Sequence, residues 1–114
     1  MARGRWGEDL AERWYRAAGY EVLGRNWRCA AGELDLVVGR GGLVVFVEVK
    51  ARAHDRFGPP AAAVGFDKQR RIRRSAALWL QARPAADGRP GRVDVRFDVV
   101  SITGVRVEVL EAAF

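Results

Sequence analysis

The strongest constraint on the fold is a run of apolar residues near the middle of the chain, LVVFVEV at positions 43–49. Side chains of a strand point alternately to its two faces, so a run that is apolar at both parities fits a strand covered on both sides. Such strands lie inside sheets that carry helices on their faces. The run therefore predicts an α/β fold with a buried strand over Leu43–Val49.

The flanking segments supply the other predicted elements, which we give in chain order. Apolar residues recur at helical spacing from about Glu8 to Ala18, and Gly19 ends this predicted helix. The remaining elements are strands at Tyr20–Trp27 and Leu34–Val38, a Gly-Arg-Gly-Gly turn at 39–42, the buried strand, a helix from its N-cap Asp67 to about Ala82, and strands at Val93–Ser101 and Val105–Leu110. This order indicates a mixed sheet with helices on its faces.

The length of 114 residues favours a single domain over 1–114, because two smaller pieces would lack independent cores. The charged N-terminal segment contains no apolar run of signal-peptide length, and no segment approaches the roughly 20 apolar residues that cross a membrane. We therefore expect a cytoplasmic protein. The lone Cys29 and the lone His54 exclude a His/Cys metal cluster within one chain.

The charge balance suggests a polyanionic partner. Lys and Arg number 20 against 14 Asp and Glu, which gives a net charge of +6 and an isoelectric point near 10.6. A basic domain attracts nucleic acid, although a basic surface without a partner has the same composition. Nucleic acid is therefore the first partner to consider.

Acidic and basic residues interrupt two of the predicted strands at alternate positions. Glu33 and Asp35 share one face of their strand, and Glu48, Lys50 and Arg52 share one face of the next. The short turn makes these strands antiparallel neighbours. If both charged faces lie on one side of the sheet, the carboxylates and the lysine converge near one end.

Carboxylates clustered on an apolar strand repel one another and lose hydration unless a cation neutralises them. Mg²⁺ prefers oxygen ligands and is commonly held by one or two carboxylates with waters. Asp35 and Glu48 are therefore candidate metal ligands, and Lys50 would position water or stabilise charge on a phosphodiester. The competing interpretations are a buried ion pair of Lys50 with Glu48 or Asp35 that fixes strand register, and alternating charge on an exposed strand.

The helices add further candidates. Glu8 lies at the edge of the first helix's apolar stripe, where it either reaches the charged end of the sheet or favours the helix dipole as a first-turn acid. Gln69 falls on the inward stripe of the second helix and Lys68 leans inward, so both are candidates for a phosphate or base contact near the site. The alternative for Lys68 is a side chain that extends to water. The same helix carries candidate nucleic-acid contacts on its flanks and outer face at Arg70, Arg71 and Arg74, which a solvated face would also explain.

Together these residues resemble a known family. The stretch GELDLVVGRGGLVVFVEVKAR, preceded by GEDLAERW and followed by FG, AV and DKQRRI, is similar to the YraN family of predicted bacterial endonucleases. The resemblance extends from Gly7 to RFDVVSI at 96–102. The family is placed in the restriction-endonuclease-like, or PD-(D/E)xK, superfamily and is likened to archaeal Holliday-junction resolvases.

The resemblance implies an αβββαβ core and a role for each matching position. Asp35 matches the metal-binding aspartate, and Glu48 with Lys50 forms the (D/E)xK half of the motif. Val49 would offer its backbone carbonyl to the metal, and Glu8 matches an acidic residue on the first helix of the resolvases. Glu33, a further candidate ligand, and Arg52, a candidate nucleic-acid contact, belong to the YraN pattern, and Leu34 stands where the superfamily signature has proline.

The leading hypothesis is therefore a Mg²⁺- or Mn²⁺-dependent endonuclease acting on DNA, including branched or junction DNA, with Glu8 and Gln69 as assisting residues. A nuclease of RNA is a further alternative, because one metal site can hydrolyse either backbone. A homodimer follows by analogy with resolvases that cut two strands. The alternative is a non-catalytic nucleic-acid-binding or scaffold protein that retains the nuclease fold. Fold-level analogy does not choose between these two readings.

Overall fold

The structure, a computed structural model, describes residues 2–52, 64–83 and 92–114. Its elements are, in chain order, α1 (Ala2–Ala17), β1 (Glu21–Cys29), β2 (Gly32–Arg40), β3 (Leu43–Arg52), α2 (Phe66–Ala82), β4 (Asp94–Thr103) and β5 (Arg106–Leu110). The predicted α/β class and the predicted order of elements are confirmed.

The five strands form one mixed sheet in the order β1-β2-β3-β4-β5. β1, β2 and β3 pair antiparallel, β3 and β4 pair parallel from Leu43 with Asp94 to Arg52 with Thr103, and β5 returns antiparallel to β4. A parallel pair needs a crossover connection, and α2 lies in the connection between β3 and β4. The arrangement is consistent with a restriction-endonuclease-like core, extended by β5.

A core lies on each face of the sheet, because β3 is apolar at both parities. Val45 and Val47 pack toward α1 in one core, and Val44 and Phe46 pack toward α2 in the other. The α1-side core also contains Ala11, Tyr15, Leu36, Val38 and Val100, and the α2-side core contains Val37, Ile72, Ala76, Trp79 and Phe97. The central strand is thus covered on both sides, as its sequence predicts.

Several predicted boundaries differ from the structure. α1 begins at Ala2 rather than at about Glu8, since the residues before Glu8 include no proline and the helix continues beyond its amphipathic part. The prediction that Asp67 is the N-cap of α2 is wrong: Gly65 occupies that position, no side chain caps the helix, and Asp67 lies in the first turn, where it accepts a hydrogen bond from Arg70. Gly19 follows α1 with a φ of 92°, which confirms its predicted place at the helix end. Neither helix in the described segments is long and apolar enough to span a membrane.

Candidate functional site

The site forms where β2 separates from β3. The pairing of these strands runs from Arg40 with Leu43 to Leu36 with Val47 and stops there. Beyond that point the Oδ2 atom of Asp35 accepts a hydrogen bond of 2.9 Å from the backbone N–H of Val49. A side-chain carboxylate therefore replaces the backbone partner that the neighbouring strand no longer supplies.

The pleat of β2 is irregular at the same place. Leu34 and Val37 both pack in the α2-side core, whereas Leu36 and Val38 pack in the α1-side core. Strict alternation would put Leu34 and Leu36 on one face. The strand therefore changes its phase around Asp35, and the carboxylate comes to lie over the end of β3.

The structure brings the carboxyl groups of Asp35 and Glu48 together, and both residues line the same two clefts. Burial, the charge of Glu48 and a hydrogen bond between the two groups raise the pKa of Asp35 to about 7, against the opposing effect of the Val49 N–H. The side chain of Glu48 is itself buried, with a relative exposure of 6%. Two carboxylates so placed are costly at neutral pH unless a cation or a shared proton offsets their repulsion.

Two lysines lie at this carboxylate pair. The Nζ atom of Lys68 on α2 forms an ion pair with the Oε2 atom of Glu48. Burial lowers the pKa of Lys68, but its contacts with Glu48 outweigh burial, so that this pKa lies above the ordinary value. Burial also lowers the pKa of Lys50, and the charge of Lys68 lowers it further. The site thus combines one firmly protonated lysine with one that releases its proton more readily.

Two clefts meet at the pair. The β2–α2 cleft, of about 230 Å³, is lined by Gly32, Glu33, Asp35, Glu48, Lys68, Arg71, Ile72 and Ser75. The α1 cleft, of about 280 Å³, is lined by Gly7, Glu8, Asp35, Glu48, Val49, Lys50, Ala51 and Lys68. Because Asp35, Glu48 and Lys68 line both clefts, a ligand that extends along either one passes the carboxylates.

Glu8 lies on the α1 side of the site and is buried, with a relative exposure of 8%. Its Oε1 atom accepts hydrogen bonds from Asn26 Nδ2 at 2.9 Å and from Arg25 at 3.4 Å. The negative charge of Glu8 is close enough to contribute to the raised pKa of Asp35. The structure thus brings Glu8 to the charged end of the sheet, as one of its two sequence interpretations has it.

The other candidates take more varied positions. Gln69 donates a hydrogen bond of 3.0 Å from Nε2 to the carbonyl oxygen of Val64, just before α2 begins. Its side chain lines neither cleft. Glu33 lines the β2–α2 cleft and lies 3.6 Å from the guanidinium of Arg28. Val49 lines the α1 cleft.

The candidate nucleic-acid contacts on α2 separate into distinct groups. Arg71 lines the β2–α2 cleft, Arg70 pairs with Asp67, and Arg74 is exposed on α2 and lines neither cleft. The backbone of Arg52 belongs to β3, while its side chain lies outside the described part of the structure. Arg71 and Lys68 are therefore the two α2 cations that line the site.

Two residues at the site were not predicted from the sequence. Asn26 holds Glu8 from a left-handed backbone with φ 50°, and Ser75 lines the β2–α2 cleft with a relative exposure of 1%. Helical spacing could have indicated Ser75, which follows Arg71 by one turn and Lys68 by two. The role of Asn26 depends on a contact between β1 and α1 that no local pattern shows.

The donor set fits a hard divalent cation, because Asp35 and Glu48 present carboxylate oxygens in a position where they repel each other. Among the described residues, no group of three or more His, Cys, Asp or Glu side chains is arranged to hold a metal. A metal here would therefore be held by the two carboxylates, with its remaining ligands from the backbone or water. Mg²⁺ commonly binds in that manner.

The mixed sheet with α1 and α2 on its two faces is consistent with a restriction-endonuclease-like core, and it carries Asp35 on β2 and Glu48 and Lys50 on β3. Comparison with known proteins then gives the particular family. The family model described as Uncharacterised protein family UPF0102 matches residues 7–102, and the chain belongs to this family, which is the YraN family.

Similar proteins carry the same family name. A UPF0102 protein of Frankia casuarinae is 51% identical over 99% of this chain and 96% of its own length. A UPF0102 protein of Nocardia farcinica is 52% identical over 90% of this chain and 76% of its own length. A UPF0102 protein of Syntrophus aciditrophicus is 40% identical over 100% of this chain and 89% of its own length. The family resemblance thus extends over nearly the whole chain.

Proposed function

We propose that this protein is a Mg²⁺- or Mn²⁺-dependent endonuclease that hydrolyses phosphodiester bonds in DNA, branched or junction DNA included. The observation that carries the proposal is the contact between Asp35 and Glu48 where β2 leaves β3, with Lys50 and Lys68 beside it. A basic chain with a net charge of +6 favours a polyanionic substrate.

In this proposal Asp35 and Glu48 would hold the divalent cation. When bound there, the cation would neutralise charge on the phosphodiester and lower the pKa of water, which is the chemistry that hydrolysis needs. The Val49 N–H fixes the orientation of Asp35, and Lys68 holds Glu48 through their ion pair. Lys50 lines the α1 cleft, where its ammonium stabilises the added negative charge as water attacks phosphorus and the P–O bond to the leaving nucleotide breaks.

Cleavage of labelled DNA tests this function. Duplex, single-stranded, flapped and four-way DNA, and RNA of the same sequence, would be incubated with Mn²⁺, with Mg²⁺ and with a chelator. We expect metal-dependent cutting that falls by about 10²-fold or more in Asp35→Ala, which removes a proposed ligand of the cation, and in Lys50→Ala, which removes a positive charge beside the reacting phosphate. Glu21→Gln, an exposed change at the start of β1, is the matched control and should cut like the wild type.

Cutting that persists in both variants, or in the chelator, would contradict the proposed site. The rival function is a nucleic-acid-binding protein without catalysis, which the ion pair of Lys68 with Glu48 favours because it already neutralises one carboxylate. Calorimetry distinguishes the two functions: the endonuclease binds Mn²⁺ in a manner that Glu48→Ala abolishes, whereas the rival binds DNA and shows no such metal binding.

A further inference from the structure

The inference begins with a buried hydroxyl group that the fold leaves without a partner. Ser75 lies in the middle of α2 with a relative exposure of 1%. A serine inside a helix commonly bonds to the carbonyl one turn earlier, but the Oγ atom of Ser75 has no hydrogen-bond partner of acceptable geometry among the described residues. The thiol of Cys29, whose pKa the Ser75 hydroxyl lowers, is its polar neighbour, and a thiol is only a weak hydrogen-bonding group.

Ser75 lines the β2–α2 cleft. Lys68, Arg71 and Ser75 follow one another at intervals of three and four residues, so they lie along one face of α2. At about 1.5 Å per residue, Ser75 lies about 10 Å along the helix axis from Lys68 and its partner Glu48. The cleft therefore continues from the carboxylate pair to the Ser75 hydroxyl, over a distance that exceeds a single phosphate group.

Gly32 lies beside this buried hydroxyl on the side of β2. A Cβ atom built at Gly32 would lie 3.6 Å from the Oγ atom of Ser75, so a larger side chain there would fill the space beside the hydroxyl. The φ of 148° at Gly32 also disfavours any other residue. Strand β2 thus begins at a residue that adds no side chain beside Ser75.

Arg71 supplies a charge for that ligand. It lines the cleft, is exposed, and forms no ion pair within the described segments. The neighbouring arginines are engaged differently: Arg70 pairs with Asp67, and Arg73 lies over the ring of Phe97 at 4.8 Å. Within the cleft, Glu33 lies in ion-pair contact with Arg28. The far end of the cleft therefore presents a guanidinium group and a hydroxyl donor.

We propose that Ser75 and Arg71 bind a backbone phosphate of the substrate strand, next to the phosphate that is cleaved. A phosphate oxygen accepts hydrogen bonds from both groups, and a guanidinium group matches its geometry. The inference rests on the proposed nuclease function, because the carboxylate pair defines where the cleaved phosphate lies. It adds that the protein contacts the strand on the β2–α2 side of the cut.

Binding measurements test the subsite without using cleavage as the readout. Fluorescence anisotropy of a labelled single-stranded oligonucleotide would be measured with Ca²⁺ in place of Mg²⁺, over a series of salt concentrations. We expect Ser75→Ala to weaken binding by about 2- to 10-fold, as for the loss of one hydrogen bond. Arg71→Ala should weaken binding by about 10-fold and reduce the slope of log affinity against log salt by about 1.

Two controls separate this role from a structural one. Arg13→Ala removes an exposed arginine from α1 and should change the affinity less than about 2-fold, because it lies away from both clefts. The melting temperature of Ser75→Ala should equal or exceed that of the wild type, since the variant removes a buried hydroxyl that has no hydrogen-bond partner in the described part of the chain. A lower melting temperature with unchanged binding would assign Ser75 a structural role and overturn the proposal.

The outcomes also separate this proposal from the nuclease function. If the wild type cuts DNA while Ser75→Ala and Arg71→Ala bind like the wild type, the subsite is wrong and the function stands. If the variants lose binding but no metal-dependent cutting occurs, the contact with nucleic acid is right and the nuclease function is wrong. Inorganic phosphate and a dinucleotide serve as competitors. Equal competition by the two would overturn the assignment to a strand, because a strand ligand must compete more strongly than the free ion.

Discussion

At the scale of single residues, Asp35 makes two contacts that differ in what they require of its charge. Its carboxylate completes the backbone hydrogen bonding of β3 through Val49, and it also lies in a buried contact with Glu48. The first contact needs only an oxygen, whereas the second becomes costly when both groups are ionised. The negative charge of Asp35 is thus required by the proposed metal site and unfavourable to the metal-free fold.

The variant Asp35→Asn is therefore expected to stabilise the metal-free protein above neutral pH. Asp35 has a pKa of about 7 in the fold and 3.8 ordinarily, so the folded state binds this proton more tightly than the unfolded state. The unfolding free energy of the wild type accordingly falls as the pH rises from about 4 to about 7, by on the order of 1–3 kcal/mol. Asparagine keeps an oxygen for the Val49 N–H and removes the charge.

Thermal unfolding in chelator at about pH 5 and about pH 8 measures this effect. The advantage of Asp35→Asn over the wild type should be larger at the higher pH, where the wild-type carboxylate is ionised. Glu21→Gln, at an exposed position of β1, provides a carboxylate-to-amide control whose effect should stay constant. A variant less stable than the wild type at both pH values would show that the charge of Asp35 stabilises the fold.

Asn26 gives a second prediction at the residue scale. Its φ of 50° is left-handed, and its side chain donates to Glu8. Asn26→Gly keeps the backbone conformation and removes one hydrogen bond to a carboxylate, at a cost of about 1.5–3 kcal/mol. Asn26→Ala should cost about 1–2 kcal/mol more, because alanine is strained in this conformation. Urea unfolding of the two variants measures the difference. If Asn26→Ala were more stable than Asn26→Gly, the left-handed backbone at this position would not limit stability.

At the scale of elements, a buried polar network joins α1, β4 and the segment after β5. Asp98 on β4 is fully buried and accepts hydrogen bonds from Tyr15 of α1 at 2.7 Å, from Arg96 at 2.8 Å and from the backbone N–H of Ala112 at 3.1 Å. Arg96 also donates to Tyr20 at 3.1 Å. A buried carboxylate so satisfied holds the helix and the chain end to one point of the sheet.

Breaking this network should destabilise the fold without removing a residue that lines either cleft. Asp98→Ala leaves the Tyr15 hydroxyl and much of the Arg96 charge unpaired, so we expect a loss of about 3–5 kcal/mol in unfolding free energy. Tyr15→Phe removes one donor and should cost about 1–3 kcal/mol. Guanidinium unfolding compares the two variants. Equal stability of Asp98→Ala and the wild type would mean that the network contributes nothing net.

The order of elements and the charged strand faces could be predicted because their signals are local. Two-residue alternation placed Glu48 and Lys50 on one face, and the short turn placed Asp35 on the neighbouring strand. The N-cap of α2 could not be predicted, because Gly65 occupies the position that Asp67 appeared to suit. The phase change at Asp35, the Asp98 network and the pair of Lys68 with Glu48 also lay beyond prediction, since each depends on residues far apart in sequence.

At the scale of the whole molecule, the sheet separates a structural polar network from the candidate functional site. The α1-side face carries the Asp98 network and a core with Tyr15 and Leu36. The α2-side face carries a second core and, at the end of β3, the carboxylate pair with Lys68. Strand β3 contributes residues to both cores, and its last residues include Glu48 and Lys50 of the candidate site. The same strand therefore stabilises the fold and positions the site.

The connection of the strands also sets an order in which the site is assembled. Asp35 and Glu48 belong to β2 and β3, which a Gly41-Gly42 turn joins into a hairpin, whereas the parallel pairing of β3 with β4 must wait until the chain has passed through α2. Short loops close at a lower entropic cost than long ones, and a chain leaves the ribosome from its N-terminus. The acidic hairpin therefore emerges before α2 in a nascent chain, and Lys68, which forms an ion pair with Glu48, reaches the hairpin only when α2 follows.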